Sequence, residues 1–190
     1  MPHSSTVVKR VDEDLHQAVL DLWTAYRVES GSSPDAAARL VAEGAVSSAL
    51  TRSDVAAYVA VSEGRPVGYV VLTDRAVSPF TETGCLAIDQ LYVAKEARRL
   101  GVGTQLLAAV AAHAERTGSE QVASNVPAGG RDANRFFARL GFSPITVRRI
   151  TSTAQLHRRL THEPLSTRAL DQMLARRRSA RLRASQQLRA

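Results

Sequence analysis

The chain has a single cysteine, Cys85, so it can form no internal disulfide and no thiolate metal cage. Cys85 is expected to pack as a small apolar residue on a strand. No apolar run is long enough to span a bilayer, and the opening residues MPHSSTVVKRV lack the apolar stretch of a secretory signal, so the expected location is the cytoplasm. Lysine is nearly missing: Lys9 and Lys95 are the two, and arginine carries the remaining positive charge. No serine stands in a Gly-x-Ser-x-Gly elbow. His113 has no carboxylate or cysteine at ligand spacing, and His157 and His162 are not spaced as metal ligands, so no metal is expected. His113 reads as a solvated helix histidine.

What remains is enough for one domain with a real core and an appendage, since the chain has 190 residues and is 44% hydrophobic. The net charge of +7 is unevenly placed. Residues 1–155 hold 16 Lys plus Arg against 16 Asp plus Glu. Residues 156–190 carry Arg158, Arg159, Arg168, Arg176, Arg177, Arg178, Arg181, Arg183 and Arg189 against Glu163 and Asp171. The expected organisation is a neutral globular domain over 1–155 and an arginine-rich, helical extension over 156–190.

Within the domain, TVVKRV reads as a strand, followed by a helix capped by Asp12 or Asp14 and carrying Leu15, Val19, Leu22, Trp23 and Tyr26 at helical spacing. Ser33 before Pro34 marks a second helix start, running to about Thr51. VAAYVAVSEGRPVGYVVLTD gives two strands around a turn, and CLAIDQLYV a further strand. A helix over 101–117, a strand QVASNV, a short helix ANRFFARLG and a last strand SPITVRRI complete the order. The expected class is α/β with a mixed central sheet flanked by helices.

One junction in this order stands out. EARRLGVGT lies where a strand hands over to a helix, a place where free backbone N–H groups and the helix dipole gather anions. Gly101 and Gly103 permit close backbone approach, Arg98 and Arg99 add charge, and Thr104 a hydroxyl. Leu106 stands where a dinucleotide fingerprint needs its third glycine, and no Gly-Lys-Ser/Thr is present, so neither of those phosphate loops applies. A glycine turn that merely joins strand to helix is the plain alternative.

Arg98-x-x-Gly101-x-Gly103 after Leu91-Tyr92-Val93, with Ala133-Asn134-Arg135-Phe136-Phe137-Ala138-Arg139-Leu140-Gly141-Phe142 further on, resembles the GCN5-related N-acetyltransferase (GNAT) family. In element order the resemblance covers residues 5–150 and includes Gly68 and Tyr69. It implies the acyl-CoA N-acyltransferase fold and acetyl transfer from acetyl-CoA to an amine, whose identity the sequence does not give. It also implies that Arg98, Arg99, Leu100, Gly101, Val102, Gly103 and Thr104 hold the pyrophosphate. Leu91 and Val93 would then bond pantetheine through their backbone, with Asn134 and Phe137 completing the contacts.

Two positions depart from the family pattern. Phe137 stands where members commonly place a tyrosine acid, and Asn125 where some place a glutamate base; neither transfers a proton. Asp89 and Tyr92 are the substitutes, as base through water and as acid, with core packing or an edge hydrogen bond the plain alternative for each. Strand alternation places them on opposite faces. Transfer can also proceed by positioning alone.

In the extension, Leu170, Met173 and Leu174 form a short apolar stripe, and Arg176, Arg177, Arg178, Arg181 and Arg183 surround the helix beyond it. Guanidinium suits phosphate, and no aromatic follows Phe142 to stack bases or enter a membrane. RNA, DNA or an acidic face of a larger complex is the expected partner, and no membrane. Two functions follow: an acetyltransferase whose arm recruits its substrate, or a binding protein on that scaffold, working through the arm. Deleting 164–190 is expected to lower affinity for nucleic acid or ribonucleoprotein and to flatten its salt dependence, read from binding isotherms at several salt concentrations. Unchanged binding would remove the arm from consideration.

Overall fold

The computed structural model describes residues 6–74, 84–127 and 129–161. The chain divides into two compact units, one through Phe137 and one from Ala138. In order, the elements are β1 (Thr6–Arg10), α1 (Glu13–Glu29), α2 (Pro34–Ala42), α3 (Ala45–Leu50), β2 (Val55–Ser62), β3 (Arg65–Asp74) and β4 (Cys85–Val93). A single 3-10 turn (Lys95–Ala97) leads to α4 (Val102–Thr117), β5 (Gln121–Ser124), α5 (Arg131–Arg139) and α6 (Thr153–Thr161). The strands form one sheet in sequence order, antiparallel except where β5 runs parallel to β4 after the α4 crossover.

Local chemistry sets the boundaries. Asp12 caps α1, its side chain accepting from the Leu15 N–H at 3.2 Å. Ser33 does the same for α2 through Ala36, with Pro34 in the first turn. The expected single helix to Thr51 is two, because Gly44 adopts a left-handed conformation (φ 76) that ends α2 and opens α3. Glu63 and Gly64 both have positive φ (51 and 76), the tight turn whose twist suits a two-residue hairpin between β2 and β3.

Each sheet face has its own cover. On one face α1 buries Val19 and Leu22 against Val59, Tyr69, Tyr92 and Ala94. On the other, α4 buries Val102, Leu106, Val110 and Ala114, spaced as one helical stripe. Its close approach depends on Gly68. A Cβ there would lie 2.8 Å from the Tyr92 carbonyl, 3.3 Å from Leu106 and 3.4 Å from Val102.

His113 is half-buried against the sheet rather than solvated, which corrects the sequence expectation. Arg116 donates to the Tyr58 hydroxyl at 2.8 Å, and that hydroxyl shares a hydrogen bond with His113 Nδ1 at 2.9 Å. Burial, then the charges of Arg116 and Arg10, lower the His113 pKa, with Asp74 opposing.

The expected last strand is also corrected: among the described residues, 143–150 form no strand. Ile145, Val147 and Ile150 are exposed, at 73%, 80% and 89%. Strand propensity expresses packing on a pleated, half-buried surface, and here that burial is missing. α6 follows, and the expected helix and arginines beyond 164 lie outside the described residues. Among the described residues no helix is long and apolar enough to cross a membrane.

Two outcomes follow. Gly68→Ala is expected to destabilise the fold by about 1–3 kcal/mol through overpacking, read from urea unfolding. Because the folded-state pKa of His113 lies below 6.5, the unfolded chain takes up the proton more readily. Stability is therefore expected to fall as pH drops below about 6.5, and His113→Gln to reduce that slope in melts from pH 5 to 7.5.

Candidate active site

β4 and β5 part company inside the sheet. Their pairing runs from Cys85 with Gln121 to Ile88 with Ser124, and the Asn125 N–H makes a last 3.5 Å contact with the Ile88 carbonyl. β4 then continues to Val93 while β5 stops at Ser124. On its other side β4 stays paired with β3, and the Ala94 N–H donates to the Val67 carbonyl at 2.9 Å. Alternation along an antiparallel strand therefore turns the peptide groups of Leu91 and Val93 toward the edge that β5 has left.

Beyond Val93 the chain turns sharply into α4. Arg99 (φ 64) and Gly101 (φ 85) both take left-handed backbone, and no side chain caps the helix. The first N–H groups of α4 thus remain available to an anion. The two glycines serve different ends. A Cβ on Gly101 would meet nothing within 4 Å, so its requirement is conformational and the space above it is open. A Cβ on Gly103 would lie 3.2 Å from the Phe136 ring, so its requirement is packing. Val102 is buried beneath the loop, whereas Arg99, Leu100 and Thr104 are exposed.

Phe136 was not singled out by sequence, which favoured Phe137 beside it. Phe137 is buried and meets the Phe136 ring edge-on at 5.5 Å between centroids. The helical turn presents Phe136, not Phe137, to the second glycine. Asn134 donates its side-chain amide to the Gly130 carbonyl at 2.9 Å, holding the first turn of α5.

Asp89 and Tyr92 do not lie on opposite faces, as alternation alone predicts. The β3–β4 register shifts, with Val71 opposite Gln90 but Leu72 opposite Ile88, so Asp89 is an extra residue in a bulge. Thr73 donates its hydroxyl to Asp89 at 2.7 Å, and Thr73 shares the α1-facing side of β3 with Tyr69 and Val71. The bulge therefore turns Asp89 to the face that carries Tyr92.

Tyr92 belongs to a polar cluster at the end of α1. Its hydroxyl donates to Glu29 Oε2 at 3.3 Å, and Arg98 Nη2 donates to the same oxygen at 2.7 Å. Arg98 Nε also donates to the Val93 carbonyl at 2.9 Å, while its guanidinium lies 5.8 Å from the centre of the Tyr92 ring. Burial raises the Glu29 pKa, but the hydrogen bond and charge of Arg98, with Lys95 and Tyr92, bring it below the ordinary carboxylate value. Burial and then the Glu29 charge push the Tyr92 phenol up, so it holds its proton at neutral pH. Tyr26 and Tyr69 flank the Tyr92 ring at 5.8 and 6.1 Å, and the buried Tyr69 hydroxyl has no hydrogen-bond partner among the described residues. Glu29 lies 69 residues from Arg98, so no local pattern pointed to it.

The geometry is thus a strand end with an open edge, leading into an uncapped helix start, with a carboxylate, a phenol and a guanidinium joined beneath it. Among the described residues no group of His, Cys, Asp or Glu could hold a metal ion. Arg176, Arg177, Arg178, Arg181 and Arg183 lie outside the described residues.

Known proteins share this architecture. A ribosomal-protein-alanine N-acetyltransferase from Brucella melitensis biovar Abortus 2308 superposes with a TM-score of 0.64 at 17% identity, over 78% of this chain and 99% of that one. An aminoglycoside N-acetyltransferase, AAC(6')-Iy, in complex with CoA superposes at 0.63 with 20% identity, over 80% of this chain and 97% of that one. A transcriptional regulator from Bacillus halodurans C-125 gives 0.61 at 16% identity, over 78% of this chain and 99% of the other. No curated protein matches in sequence. The acetyltransferase (GNAT) family profile matches residues 16–142, and with two thirds of the chain inside that match, the protein belongs to the GNAT acetyltransferase family.

Proposed function

We propose that the chain is an N-acetyltransferase that moves the acetyl group of acetyl-CoA to an amine, with residues 1–155 as the transfer domain. The observation that carries this reading is the succession along the chain of a β4 edge that β5 has left, at Leu91 and Val93, and the uncapped, glycine-bounded start of α4. The residues present fit such a ligand. No atom lies within 4 Å of where a Gly101 Cβ would stand, and the N–H groups that open α4, from Val102 to Thr104, are donors suited to a diphosphate. The aminoglycoside enzyme of the same fold holds CoA, which supports acetyl-CoA here. Its thioester supplies an activated carbonyl carbon for the amine.

The chain's own groups then have defined tasks. The backbone N–H of Val93, turned to the open edge, is placed to polarise a carbonyl. Asp89, held by Thr73, is placed to draw a proton from an ammonium through water, since both it and Tyr92 face the α1 side. Tyr92 keeps its proton and is the available acid, and that proton is directed at Glu29. Phe137 and Asn125 supply no proton, so much of the rate would come from positioning.

A second reading, a binding protein on this scaffold acting through residues 156–190, draws on those same two positions. Calorimetric titration of acetyl-CoA separates the readings. The unmodified protein is expected to bind, and the variant carrying Gly101→Glu and Gly103→Glu to lose binding by more than tenfold, because two carboxylates fill the anion space and oppose its charge. Failure of the unmodified protein to bind would favour the binding-protein reading. With binding established, Tyr92→Phe and Asp89→Asn are expected each to slow transfer by about 10²-fold if they handle protons.

A further inference from the structure

A single carboxylate oxygen ties together three parts of the site. Glu29 Oε2 receives the Tyr92 hydroxyl and the Arg98 guanidinium, and Arg98 in turn holds the Val93 carbonyl. Glu29 closes α1, Tyr92 and Val93 end β4, and Arg98 opens the anion loop. We propose that Glu29 is a positioning residue that competes with the phosphates of acetyl-CoA for Arg98, so that filling the anion loop is coupled to the hydrogen bond on Tyr92. The inference rests on the acetyl-CoA reading above.

The argument is electrostatic. A guanidinium pairs with a carboxylate or a phosphate alike, and charge neutralised by one is less available to the other. Glu29 holds Arg98, the residue that opens the loop before α4, so the Glu29 carboxylate offsets positive charge that an anion bound there would otherwise meet. The Arg98 side chain is 42% exposed, so a ligand can reach it without opening the core. When the guanidinium turns to the phosphates, Tyr92 becomes the remaining hydrogen-bond donor on Glu29 Oε2 and its bond shortens. Anything that strengthens the Tyr92–Glu29 bond must by linkage favour the phosphates, and the reverse. Occupancy on the donor side is thereby reported to the face where α1 meets β4.

The test is acetyl-CoA affinity by calorimetry in four proteins: unmodified, Glu29→Gln, Arg98→Met and the double variant. Removing the competitor should tighten binding about threefold or more, the scale of one partly screened ion pair. The gain should vanish when Arg98 is already Met, because nothing is left to compete for. A residue with only a structural role would give weaker binding and a lower melting temperature instead. Glu29→Asp, whose carboxylate is withdrawn by one methylene, should move affinity in the same direction by a smaller factor, and decides the matter should Glu29→Gln not fold. Equal or weaker binding by the folded Glu29 variants, with the unmodified protein binding normally, overturns the inference. No binding by the unmodified protein overturns the reading beneath it.

Discussion

The missing side chain at Gly68 sets the height at which α4 crosses the sheet, and the site depends on that height. Gly68 pairs with Val93, the last residue of β4, and its bare Cα lies under Val102 and Leu106 of α4. The helix start is thereby seated directly over the strand end. A larger residue at 68 would lift α4 from the sheet or push on the Tyr92 carbonyl, and either movement separates the anion loop from the open edge that feeds it.

β4 is asked to do two incompatible things. Its first half pairs on both sides, with β3 and with β5, and its second half pairs on one side alone. The bulge at Asp89 stands at the change between the two. An extra residue there increases local twist, which helps β4 turn away from β5, and it re-aims Asp89 to the α1 face beside Tyr92. Thr73, buried on β3, fixes the carboxylate in that orientation. One irregularity in the register thus opens the edge and supplies the face with a second acidic group.

Phe137 on α5 and Asn125 just beyond β5 carry no proton-transferring group, and the ionisable side chains of this region lie on β4 and α1 instead. Phe137 is committed to the interior and Phe136 to the glycine of the anion loop, so α5 contributes shape. Asn125 sits where β5 leaves β4 and uses its backbone to close the last rung. The polar groups on this side include Asp89, Tyr92 and Glu29, and Glu29 keeps its charge because Arg98 neutralises it locally. The carboxylate and the guanidinium each lower the cost of holding the other in a partly desolvated place.

The sequence alone determined whatever depends on neighbours along the chain. Caps at Asp12 and Ser33, the hairpin turn at Glu63 and Gly64, the full span of β4 and the glycine loop before α4 were legible because backbone geometry and short-range hydrogen bonds specify them. The break at Gly44 was written in the sequence too, as a glycine inside a helical pattern. Residues 143–150 had strand propensity with no packing surface to express it, and propensity is a statement about such surfaces. Tertiary structure alone decided the rest: which phenylalanine meets Gly103, which face Asp89 takes, and that Glu29 shares an oxygen between Tyr92 and Arg98. Each of these turns on a register shift or on a contact between residues far apart in sequence, and strand alternation read from the sequence assumes that no register shift occurs.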